Sequence, residues 1–121
     1  MGRPMAAALA RAGVETLGFD LNASLVKAAA SDGVIAATSL RQAIEGAEVA
    51  ITMLQSGDQT LAVWNEVAPL ARGALLIDCS TIDIESARAA HLLAQVNGAR
   101  SVDAPVSGGV AGATAATLTF M

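Results

Sequence analysis

The chain is predicted to be an α/β protein with a mainly parallel sheet, on three observations. Short apolar runs at residues 14–20, 34–36, 49–54, 74–78 and 101–103 alternate with segments of helical spacing, the pattern of strands joined by helical crossovers. Ser, Asn and Asp stand where those helices would start and Gly where they would stop. Of 121 residues, 54% are hydrophobic and only 15% charged, which is enough apolar matter for a buried core and excludes disorder for the chain as a whole.

Residues 1–12 read as a helix, with Pro4 suited to its first turn, Met5 and Leu9 four apart, and Gly13 as its stop. Residues 14–20 alternate with the larger apolar groups on one face and predict a strand closed by Asp20. Asn22 is placed to cap a helix over 23–31 that ends near Gly33, before a short strand at 34–36. Ser39 and Gln42 form a capping box, hydroxyl and amide satisfying each other's backbone donors, for a helix reaching Gly46. The compact apolar run 49–54 predicts a strand covered on both faces, with a turn at 55–58.

Asp58 is expected to cap a helix from Gln59 towards Leu70, with Leu61, Trp64 and Val67 near one face and Pro69 bending the last turn. Residues 74–78 predict another buried strand, Asp83 the cap of a helix over 84–96, and Asn97-Gly98 its stop. Residues 101–103 begin a last short strand before Pro105 and a glycine-rich loop at 107–112. No repeat or Pro-rich linker interrupts the chain, so one domain is expected.

Seven Lys and Arg against eleven Asp and Glu give a net charge of -4, which repels phosphate backbones and anionic lipid, so neither nucleic acid nor membrane is expected as a partner. No apolar run approaches the ~20 residues of a membrane helix and residues 1–13 carry no secretory cleavage pattern, so a cytoplasmic location is expected. The one Cys, Cys79, has no internal disulfide partner, and with His91 it falls short of a tetrahedral metal site. Trp64 and His91 read as packing or surface residues; Cys79 lies next to the rim, with nothing nearby to lower its pKa.

In parallel sheets ligands sit beyond the carboxyl ends of the strands. Asp20, residues 54–57, residues 78–81 and residues 103–109 are therefore expected on one rim. Gly2 at a helix start suits a pyrophosphate, and Asp20, about 20 residues further on at a strand end, suits an adenosine ribose, while serving equally well as a turn or helix cap.

Met1-Gly2-Arg3-Pro4-Met5-Ala6-Ala7-Ala8-Leu9 resembles the segment M-G-x-x-M-A-x-N-L that follows the first strand in the β-hydroxyacid dehydrogenase family. Gly18-Phe19-Asp20-Leu21-Asn22, Thr52-Met53-Leu54 and Ile77-Asp78-Cys79-Ser80-Thr81-Ile82-Asp83 resemble its later blocks, in order and spacing. Asp103-Ala104-Pro105-Val106-Ser107-Gly108-Gly109, followed by Thr117-Leu118-Thr119-Phe120-Met121, is the most specific part of the match. The resemblance implies a Rossmann-like doubly wound parallel sheet. Residues 1–121 would be a partial NAD-binding domain of 6-phosphogluconate dehydrogenase-like type, lacking the first strand with its two glycines and the C-terminal helical domain with the catalytic Lys.

By the same resemblance Met1 and Gly2 face the pyrophosphate of NAD, Asp20 holds the ribose, Leu54 and Gln55 pass under the cofactor, Gln59 lies near it and Thr81 reaches the nicotinamide side. Ser107, Gly108 and Gly109 would hold the carboxylate of a small hydroxy-acid substrate. No residue of the chain matches the family's catalytic Lys; Lys27, on the helix after Asp20, is no substitute. Ala8 stands where the family usually has Asn, and Gln55 where it has Pro, a change expected to loosen the turn after Leu54. The implied activity is NAD-dependent interconversion of a 3-hydroxy acid and its semialdehyde, a step of valine breakdown, by a homo-oligomer when full length; the fragment itself is expected to be inactive. A non-catalytic dinucleotide-binding or interaction module uses the same rim and is the alternative.

Overall fold

The computed structural model describes residues 1–121. In chain order the elements are α1 (Gly2–Arg11), β1 (Leu17–Gly18), α2 (Ala23–Ala30), β2 (Ile35–Ala36), α3 (Leu40–Ile44), β3 (Val49–Thr52) and α4 (Gly57–Val67). A 3₁₀ turn at Ala68–Leu70 leads to β4 (Leu75–Asp78), α5 (Ile84–Val96), β5 (Arg100–Asp103), β6 (Val106–Ser107), α6 (Gly109–Ala115) and β7 (Thr119–Phe120). Both multi-strand ladders that follow the helical crossovers are parallel: β1 with β2, and β3 with β4 with β5. No helix is long and apolar enough to cross a membrane. The chain divides into two compact units, residues Met1–Ala43 with Ser107–Thr119, and Ile44–Val106 with Phe120–Met121.

In the first unit Ala7, Ala29, Val34, Ala37 and Ala113 are buried. Small side chains let the backbones approach; a Cβ on Gly18 would come within 2.8 Å of Val34 Cγ1. The expected strand over 14–20 is reduced to Leu17–Gly18, because its partner β2 offers only two residues and the Asp20 carboxylate then draws the chain into a turn. The capping box at α3 is shifted by one residue. Ser39 Oγ accepts from the Gln42 amide at 3.1 Å, but Gln42 Oε1 takes the amide and hydroxyl of Thr38, not the Ser39 amide. The glycine-rich segment is not all loop: Gly109 opens α6, and Gly108, at φ 128°, turns the chain into it against Leu118.

In the second unit β4 is central, and Leu76 on it is 1% exposed. Trp64 and Val67 of α4 and Ala90 and Ala94 of α5 are buried with it, and burying a Leu-sized side chain contributes roughly 1.5–3 kcal/mol. β3 is not covered on both faces as expected; Val49 and Ile51 remain 48% and 42% exposed, on the face they share with the incompletely buried Leu75 and Ile77 of β4. The cap of α4 is Ser56, whose Oγ accepts from the Gln59 amide, so Asp58 lies inside the first turn. Pro69 ends that helix in the 3₁₀ turn, as its missing N–H requires. Asp83 caps α5 through the Ser86 amide at 2.8 Å, as the sequence implies.

Candidate functional site

The first unit holds Met1, Gly2, Asp20, Ser107, Gly108 and Gly109, and the second holds Leu54, Gln55, Gln59 and Thr81. α1 begins at Met1 without a side-chain cap, and its first internal bond is the Met5 amide to the Met1 carbonyl. The amides of Gly2 and Arg3 therefore have no helical partner, which makes this end receptive to an anion. Arg3 does not supply charge there alone: its Nε pairs with Asp32 Oδ2 at 2.8 Å, just past α2. Nothing in the sequence spacing pointed to that pair.

Asp20 is exposed two residues past β1. Its Oδ1 accepts from the Asn22 amide at 2.8 Å, and Asn22 in turn caps α2 through the Ser24 amide, so Asp20 does serve the turn. Its Oδ2 engages no protein donor. Ser107 is also exposed, with its hydroxyl unengaged, beside the positive-φ glycines Gly108 and Gly109 that keep backbone amides open to approach.

In the second unit the parallel register sets the ends of β3, β4 and β5 side by side, Thr52 opposite Asp78 and Asp78 opposite Asp103. The turn after β3 is held from two sides. The Leu54 amide donates to Ser80 Oγ at 2.8 Å, and the Gln55 amide donates to Gln59 Oε1 at 3.2 Å. Gln59 is thereby a clasp on the turn. The loosening expected from Gln55 in place of Pro is offset by a bond that Pro, lacking an N–H, is unable to make. Thr81 is exposed directly after Ser80.

Cys79 is buried, 1% exposed, and so is not accessible at the rim. Burial pushes its thiol up from the ordinary value, and the neighbouring carboxylates of Asp78 and Asp103 push it further. Trp64 is a packing residue, as expected, and its indole N–H also donates to Thr52 Oγ1 at 3.0 Å. His91 has a partner that the sequence did not reveal: its Nδ1 is hydrogen-bonded to Ser101 Oγ on β5 at 2.7 Å. A cleft of about 550 Å³, lined by Trp64, Asp78, His91, Ser101 and Asp103 among others, lies in this unit; Asp78 and Asp103 belong to the expected rim, but none of the residues expected to touch cofactor or substrate lines it.

The family described as the NAD binding domain of 6-phosphogluconate dehydrogenase matches residues 1–121. The chain is 44% identical, over 125 residues in each case, to the NAD-dependent L-serine dehydrogenase and to the 3-hydroxyisobutyrate dehydrogenase of Pseudomonas aeruginosa. All of the chain is matched, and it spans 42% of the length of either relative. The solved structure of Mycobacterium tuberculosis 3-hydroxyisobutyrate dehydrogenase with L-serine is similar at a TM-score of 0.98 and 44% identity, over 100% of this chain and 42% of that one.

Proposed function

Since the chain belongs to the family of the NAD binding domain of 6-phosphogluconate dehydrogenase, we propose that its residues hold NAD in a Rossmann-like dehydrogenase that interconverts a 3-hydroxy acid and its semialdehyde. The observation that carries this reading is the free Oδ2 of Asp20 two residues past β1, in the same unit as the uncapped start of α1. An open carboxylate oxygen suits a ribose diol, and unengaged helix amides suit a pyrophosphate, so the residues present fit the cofactor. Bound NAD supplies the hydride acceptor and donor.

In this reading Met1 and Gly2 face the pyrophosphate and Leu54 and Gln55 form the turn beneath the cofactor. Gln59 keeps that turn in shape, and Thr81 offers its hydroxyl on the nicotinamide side. Ser107, with the amides of Gly108 and Gly109, grips the substrate carboxylate. The relatives named for 3-hydroxyisobutyrate and for L-serine share a carboxylate and a 3-hydroxyl as substrate chemistry. We take 3-hydroxyisobutyrate, and with it valine breakdown, as the substrate and L-serine as its competitor. The general base for the hydroxyl proton is not assigned to any of these residues; Lys27 is an exposed residue of α2. The 121 residues alone are therefore expected to be inactive, and the full-length protein to be a cytoplasmic homo-oligomer.

The test is a chimera in which residues 1–121 replace the matching part of the Pseudomonas aeruginosa 3-hydroxyisobutyrate dehydrogenase. NAD-linked oxidation of 3-hydroxyisobutyrate is expected, with Ser107→Ala raising KM while leaving NAD affinity alone. A folded chimera that does not bind NAD overturns the reading.

A further inference from the structure

We propose that Asp78 is a positioning residue whose buried carboxylate clamps the Leu54 turn through Ser80 and is tied to Trp64 through Thr52. That this clamp serves a cofactor rests on the NAD reading above; the clamp itself does not. Three donors converge on one oxygen. Asp78 Oδ1 accepts from Ser80 Oγ at 2.6 Å, Thr52 Oγ1 at 2.8 Å and the Ser80 amide at 3.2 Å. Behind the two hydroxyls stand two more donors, the Leu54 amide on Ser80 Oγ at 2.8 Å and the Trp64 indole on Thr52 Oγ1 at 3.0 Å.

The polarity of this network follows from the acceptor at its centre. A carboxylate oxygen accepts, so the hydroxyl protons of Ser80 and Thr52 both point to it, which leaves their lone pairs for Leu54 and Trp64. Asp78, Ser80 and Trp64 are 3%, 1% and 2% exposed, so water does not compete for these bonds. Asp78 Oδ2 is buried without a partner, a cost that an apolar residue at the end of β4 would not incur. What the carboxylate provides in return is a fixed position for the Leu54 amide, two residues beyond the end of β3, where the chain leaves the sheet. The parallel register makes this possible, since Thr52 and Asp78 are direct partners at the ends of neighbouring strands.

The clamp is tested in the 121-residue chain by site-resolved amide exchange, and its use is tested by NAD affinity in the chimera. Ser80→Ala and Asp78→Ala are expected to speed exchange of the Leu54 amide by about tenfold while Ala50 and Ile51 are unchanged, and Asp78→Asn, which keeps an acceptor oxygen, to stay within about threefold of the parent. Trp64 is the only tryptophan of the chain, so its emission reads the other arm: Asp78→Ala shifts it, and Ser80→Ala does not. In the chimera, NAD Kd is expected to rise by about tenfold in Ser80→Ala. An unchanged Leu54 exchange rate in Ser80→Ala overturns the clamp, even if Asp78→Ala fails to fold. Faster Leu54 exchange with unchanged NAD affinity overturns its use, whereas a parent chimera that binds no NAD overturns the cofactor reading while the exchange rates still decide the clamp.

Discussion

The side-chain oxygen of Gln59 holds the backbone amide of Gln55 at 3.2 Å, and the Gln59 amide in turn donates to Ser56 Oγ at 3.3 Å. Gln42 and Ser39 repeat the arrangement at α3, where Gln42 Oε1 receives the Thr38 amide. In both, a Ser-x-x-Gln sequence satisfies the donor one residue before the helix cap as well as one inside the first turn, so the entering chain is tied to the helix it enters. At position 55 this is open to any residue except proline.

Removing the Gln59 side chain should therefore cost about 0.5–1.5 kcal/mol, the net worth of one such bond. In Gln55→Pro the donor is already gone, so Gln59→Ala added to it should cost nothing further. Denaturant unfolding of the two single variants and the double variant measures the coupling, and strict additivity would show that the clasp contributes nothing.

If Asp20 takes the ribose, NAD should be preferred to NADP by at least about fivefold, since two unit charges ~4 Å apart repel by about 1 kcal/mol in water and about 4 kcal/mol at a protein surface. Asp20→Ala should relax the preference. Titration of the chimera with both dinucleotides checks it, and equal affinities in the parent would remove Asp20 from the ribose.

The Asp83 carboxyl is held below the ordinary carboxylate value, first by the Ser86 hydroxyl and then by the Ser86 amide. A pKa lowered by folding means that the unfolded chain takes up the proton more readily. The stabilisation of α5 is thus complete above the ordinary value and is lost as pH falls through the folded one. The Ser86 amide should become less protected over that acid range, and Asp83→Asn, which caps without titrating, should flatten the dependence. Amide exchange at Ser86 against pH is the measurement.

Cys79 should not react with a thiol reagent in the native chain at neutral pH, because it is buried and its thiol is held protonated by burial and by two nearby carboxylates. One thiol per chain should appear in denaturant. Labelling of the native chain at the rate of a free thiol would contradict the packing around β4.

Gly57 is buried where α4 and α5 begin, and a Cβ there would overlap Ser86 Oγ and come within 2.6 Å of Ser86 Cβ. Ser86 is held by Asp83 and has little freedom to move aside. Gly57→Ala should destabilise by roughly 1–3 kcal/mol despite the helix propensity of Ala, as overpacked sites do. A neutral or stabilised variant in thermal unfolding would mean that the two helix starts separate at no cost.

The elements legible in the sequence are those whose determinants are local. Asn22 and Asp83 cap α2 and α5 through amides two and three residues ahead, Pro69 ends α4, and the Asp103–Gly109 block is recognisable because it is contiguous. The local pattern put the cap of α4 at Asp58, but the helix is capped two residues earlier by Ser56, where Gly57 packs against Ser86. Strand length and coverage depended on partners: β1 stops at two residues because β2 pairs no more, and β3 keeps Val49 and Ile51 exposed on the face they share with the incompletely buried Leu75 and Ile77 of β4. The Asp78 network was the least legible of all. Thr52 and Leu54 lie 26 residues from Asp78 and Ser80, and only the parallel register, set by the packing of helices against the sheet, brings the Thr52 hydroxyl to the Asp78 carboxylate and the Leu54 amide to Ser80 Oγ.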